Sequence, residues 1–76
     1  MEFIERIKND NGSIDYCYAD KYYTYIVWYD RYERLWTAFK VNNHEDRYQI
    51  AAAGYGIDKD EALWEASTND LFAYSV

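Results

Sequence analysis

At 76 residues the chain is one small domain, residues 1–76, with no proline and no low-complexity linker to mark a boundary. Its single cysteine, Cys17, and single histidine, His44, exclude a disulfide framework and a four-ligand zinc site, and the lone thiol suits a reducing compartment. A net charge of −6 argues against generic binding to a phosphate backbone. No apolar stretch approaches the ~20 residues a membrane helix needs, and MEFIERIKND is too charged for a signal peptide, so the expected location is the cytoplasm.

Residues 2–9 place Phe3, Ile4 and Ile7 on a short apolar stripe followed by Gly12, which predicts a short N-terminal helix. A strand turning through Asp10-Asn11-Gly12 is the rival, because Asn-Gly is a strong hairpin signal. Ile14–Tyr18 alternates like a strand, with Cys17 on the face opposite Tyr16. Tyr22–Tyr29 is aromatic and β-branched throughout and is the strongest strand signal in the chain. Asp30–Glu33 turns, Arg34–Val41 returns, and Asn42–Asp46 turns again. Arg47–Ala53 is a further strand ending at Gly54-Tyr55-Gly56, read as a tight strand-to-helix turn rather than a phosphate cradle.

With Tyr29 opposite Arg34, one face of the central hairpin gathers Tyr22, Thr24, Ile26, Trp28, Leu35, Thr37, Phe39 and Val41. Pairing Val41 with Tyr48 adds Tyr48, Ile50 and Ala52, and this apolar set is the expected core. The other face gathers Tyr23, Tyr25, Val27, Tyr29, Arg34, Trp36, Ala38 and Lys40, with Arg47 and Gln49. Asp58 and Glu61 form a capping-box-like pair opening a helix over about residues 59–73. Ala62, Leu63, Ala66 and Leu71, with Trp64 or Tyr74, would turn it inward onto Trp28, Phe39 and Ile50, leaving Glu61 and Glu65 on the solvent side. The expected fold is α+β: a three- or four-stranded antiparallel meander, one C-terminal helix and a short N-terminal helix.

Residues 47–66, RYQIAAAGYGIDKDEALWEA, resemble the end of a double-stranded-RNA-binding domain, in which a strand leads through Gly-x-Gly and a basic stretch into a helix. Gly54, Gly56, Lys59, Ala62 and Ala66 fit that spacing. The resemblance implies an α-β-β-β-α fold. Where that family carries phosphate-binding lysines, this chain keeps Lys59 but has Asp60 and Leu63, which argues against duplex binding.

No catalytic, metal-binding or cofactor constellation emerges. His44 reads as a solvated loop residue, Cys17 as a half-buried small hydrophobe, and the carboxylate pairs as capping and solubilising groups. Ten tyrosines, three tryptophans and three phenylalanines exceed what so small a core needs, and surplus rings are raw material for contact surfaces. The expected partner-binding residues are therefore Tyr23, Tyr25, Tyr29 and Trp36 on the sheet, with Asp58, Asp60, Glu61 and Glu65 on the acidic helix.

These features predict a small, acidic, non-enzymatic protein that binds and inhibits a protein partner. It resembles in kind the bacteriophage anti-defence inhibitors, anti-CRISPR proteins among them, and its acidic helix would occupy the cationic groove of a nucleic-acid-binding host complex. The alternatives are a single-stranded nucleic-acid-binding domain stacking bases on the aromatic face, which the net charge disfavours, and a self-associating structural module or homodimer.

Overall fold

A computed structural model of the chain describes residues 1–43 and 50–69. The elements run β1 (Glu2–Lys8), β2 (Ile14–Ala19), β3 (Tyr23–Asp30), β4 (Leu35–Asn42), β5 (Ile50–Gly56) and α1 (Lys59–Thr68). The strands form one five-stranded sheet in the order β1-β2-β3-β4-β5, each pair antiparallel. The expectation of a short N-terminal helix and of three or four strands is thereby corrected.

Turn chemistry decided the first element. The amide of Gly12 donates to the carbonyl of Asn9 at 3.0 Å and that of Asn9 to Ser13 at 2.8 Å, closing a tight loop in which Gly12 takes φ +88°. Asn11 secures it by accepting from the amide and hydroxyl of Ser13 at 3.0 and 2.7 Å. All of β1 is exposed, so burial favours neither helix nor strand there. A helix this short is marginal alone, whereas pairing with β2 satisfies one edge of the backbone. The N-terminal helix of an α-β-β-β-α arrangement thus has no counterpart among the described residues.

Aspartates shape the next two turns. The Asp20 carboxylate accepts from the amides of Tyr22 and Tyr23, each at 2.8 Å, and from the Tyr25 hydroxyl at 3.4 Å. Slight burial works against its charge, but these bonds outweigh it and hold the carboxyl below its ordinary range. Asp30 accepts from the amides of Tyr32 and Glu33 at 2.9 and 3.2 Å, and Arg34 closes that turn in the left-handed region at φ 56°. Because Arg34 belongs to the turn, Asp30 pairs with Leu35 and Tyr29 with Trp36. The expected Tyr29–Arg34 register is therefore two residues off, a shift that preserves which side chains share a face. On the next strand Val41 pairs with Ile50, not Tyr48, and an irregularity between Lys40 and Val41 puts Ala52 opposite Lys40.

The sheet is the other way up from the expectation. The buried cluster is Tyr25, Val27 and Ala38 with Ala62 and Ala66 of α1, and Tyr16, Tyr18, Tyr23, Trp36 and Leu63 pack against it. Steric fit explains the choice. On this face β4 and β5 present Ala38, Ala52, Gly54 and Gly56. A Cβ at Gly56 would lie 2.6 Å from the Cβ of Glu61 and 2.7 Å from the amide nitrogen of Ala62. One at Gly54 would overlap the backbone of Ala62 and Ala66. The helix therefore rests directly on the β5 backbone, which the opposite face, carrying Phe39, Thr37 and Tyr55, could not allow.

Asp58 caps α1 from extended geometry, φ −142°, and its Oδ1 accepts from the amide of Glu61 at 2.8 Å. Asp58→Ala should cost about 0.5–2 kcal/mol and lower the melting midpoint by several degrees; an unchanged melting curve would show that the cap contributes nothing. The helix ends at Thr68 with Asn69 as C-cap, short of the expected boundary. The Asn69 amide group donates to the Ala53 carbonyl at 3.2 Å. Buried Lys40 reaches across from the sheet, its Nζ 3.3 Å from the Ser67 carbonyl and 4.3 Å from the Tyr23 ring centre. α1 has no basic residue in its last turn, so Lys40 supplies the positive charge that the helix dipole favours there.

Candidate interaction surfaces

The eight residues expected to bind a partner do not form one surface. Tyr25 is 2% exposed beneath α1, and Tyr23 and Trp36 are half-buried at the same interface. Tyr29 remains exposed, its ring 5.6 Å from that of Trp36. Three of the four rings, Tyr23, Tyr25 and Trp36, therefore serve the core, and α1 occupies the platform on which bases would have stacked. Lys40 is buried with them; Arg47 and His44 lie outside the described residues.

The acidic set sits where the helix leaves it open. Asp58, Asp60 and Glu61 are exposed, and half-buried Glu65 accepts from the Tyr55 amide at 3.4 Å. Lys59, the only base of the helix, turns back toward the sheet with its Nζ 4.0 Å from the centre of the Tyr16 ring. Its charge is thus drawn to one flank, and the outer face keeps its carboxylates. On that face stands Trp64, 67% exposed. At 100° per residue it lies diametrically opposite buried Ala62 and Ala66, one turn from Asp60 and Glu61. The spacing of the two alanines could have assigned Trp64 to solvent, since both cannot point inward unless Trp64 points out. Tyr55 and Ile57, in the segment leading into the helix, are also exposed.

The second surface is the face expected to be the core. Ile26, Trp28, Leu35 and Phe39 are half-buried there, with no helix laid over them among the described residues. Trp28 and Phe39 meet edge to face at its centre, ring centroids 4.7 Å apart at 81°. Cys17 shares this face, paired with Ile26. Burial pushes its thiol up, and the charges of Glu5 and Asp15 push it further, so the thiolate a nucleophile requires is disfavoured. Among the described residues no three His, Cys, Asp or Glu side chains come together as metal ligands, and no helix is long and apolar enough to cross a membrane.

No protein-family model, no curated protein and no solved structure matches this chain.

Proposed function

We propose that this chain is a small non-enzymatic protein that binds and inhibits a protein partner, its helix entering a cationic groove that otherwise holds nucleic acid. The observation that carries the reading is the outer face of α1. An exposed tryptophan stands among carboxylates while the one neighbouring lysine is drawn aside onto Tyr16. A ring that contributes nothing to the core is suited to anchor an interface, and tryptophan is enriched among residues that dominate binding energy. The carboxylates would steer approach to a basic surface.

The scale is local. A ten-residue helix is about 15 Å long, over which a duplex carries roughly nine charges at one per ~1.7 Å, against three carboxylates in the helix and Asp58 at its cap. The helix would plug part of a groove, not imitate a long duplex. A phage-encoded anti-defence inhibitor of the anti-CRISPR kind is the most specific form of this reading, its partner a nucleic-acid-binding host complex.

Capture from a bacterial lysate with and without nuclease should identify a protein retained in both cases. With the purified partner, Asp60→Lys combined with Glu61→Lys should slow association at least tenfold, and raising salt should have the same effect on the wild-type chain. Trp64→Ala should instead speed dissociation, leaving the melting midpoint within a few degrees. A partner bound equally well by both variants would sink the proposal.

A further inference from the structure

The open sheet face carries a feature that the helix reading does not use. A trough crosses the strands at the turn end of the sheet, floored by Ile26, Trp28 and Phe39. It continues over Trp28 toward Leu35, Thr37 and Tyr55. From Asp15 on β2 to Tyr55 on β5 is three strand spacings, or about 14 Å, the length of roughly four residues of extended chain. Its margins are acidic: Asp15 and Asp30 border one part, Asp30 and Glu33 the other, and Arg31 is the one base lining it among the described residues. Glu5, paired with Cys17 on the same face, adds a further carboxylate toward the β1 edge.

We infer that this trough is a docking site for a short basic segment of a protein partner, in which arginine or lysine alternates with apolar residues. Charge complementarity selects the occupant. Apolar side chains would rest on the floor, and cations would meet the margins and the faces of the aromatic rings, where a cation within about 6 Å of a ring centre is attracted. A second copy fits poorly. Two such faces would set Asp15, Asp30 and Glu33 against their own kind in a chain of net charge −6.

The test uses the full chain, isotope-labelled, titrated with a capped hexapeptide of alternating arginine and isoleucine. The expected result is saturable shifts of the Ile26, Trp28 and Phe39 amide signals and of the Trp28 indole signal. Asp15→Asn with Glu33→Gln should weaken binding at least tenfold. Asp60→Asn with Glu61→Gln, which removes the same charge from α1, should leave it within twofold, separating this site from the helix surface. The inference is overturned if a matched capped hexapeptide of alternating glutamate and isoleucine binds equally well, if those signals do not move, or if the helix variant loses as much affinity. It is equally overturned if the free protein is a dimer joined through this face, or if nuclear Overhauser contacts show residues 70–76 of the same chain lying on Trp28 and Phe39.

Discussion

Gly54→Ala should be among the most damaging single-methyl changes available in this chain. The added Cβ would overlap the carbonyl oxygen of Ala62 and the amide nitrogen of Ala66, both fixed backbone atoms of the helix. A flexible side chain could swing away from such a clash, but here the whole helix has to lift off β5. Overpacking of this kind costs about 1–3 kcal/mol and occasionally more, and an obstruction made by backbone belongs at the upper end. At about 3 kcal/mol the melting midpoint falls by roughly 12–24 °C, a large share of the stability of a small domain. Thermal unfolding followed by far-ultraviolet circular dichroism would measure it. Gly12→Asn is the control: Gly12 has positive φ but open space around it, and asparagine tolerates that conformation. If Gly54→Ala melts like the wild-type chain, the helix does not rest on β5 at this point.

Tyr25→Ala should cost about 3–5 kcal/mol, the range for removing a large aromatic side chain from a core. Tyr25 is among the largest fully buried side chains, and its ring lies in the cluster formed with Val27, Ala38, Ala62 and Ala66. Its hydroxyl also reaches the Asp20 carboxylate that organises the turn before β3. Tyr25→Phe keeps the ring and removes the hydroxyl with its long hydrogen bond to Asp20, so it should lose about 1 kcal/mol. Trp64→Ala, which removes a larger side chain from the outer face of the helix, should lie within about 0.5 kcal/mol of the wild type. Urea denaturation of the three variants separates these cases. The reverse order, with Trp64 costly and Tyr25 cheap, would mean that the sheet presents its other face to the helix.

Such a reversal was the natural expectation from hydrophobicity. Ile26, Trp28, Leu35, Phe39 and Val41 make the more apolar face, and period-two alternation correctly separates it from the face of Tyr23, Tyr25, Val27, Tyr29 and Trp36. Alternation says which residues stand together, not which face the helix covers. The tyrosine face won because small residues on β4 and β5 let the helix approach, while its rings fill the space beside it. Phenolic hydroxyls at the edge of this interface can stay hydrated or find partners, as Tyr25 does with Asp20, so tyrosine can serve as core without a large desolvation cost. The same geometry makes sense of Lys40: its charge is buried but meets a helix carbonyl and an aromatic face.

The candidate surfaces were legible to different degrees. Asp58 as cap, and Asp60 and Glu61 in the first turn, follow from local chemistry and stand where the spacing put them. The surface roles of the rings were not legible, because exposure is a property of the assembled layers. Trp36 and Tyr25 read as surplus until α1 covers them, and Trp28 and Phe39 read as core until no described element does.

By itself, then, the sequence determined what local interactions control: the alternation of β2, β3 and β4, the division of the central hairpin into two faces, the Asp58 cap, and the acidic balance of α1. Where two local signals competed, as in residues 2–9, the Asn11-Gly12 turn and the partner strand β2 settled the outcome for a strand. The Asp30–Arg34 turn set the register of β3 against β4, whereas the side on which the helix lies, and with it the exposure of Trp64 and of the Trp28–Phe39 face, were decided only in the tertiary structure. They depend on how closely the backbone of one element can approach that of another. That distance is set jointly by Gly54, Gly56, Ala62 and Ala66, residues on separate elements whose effect exists only once they meet.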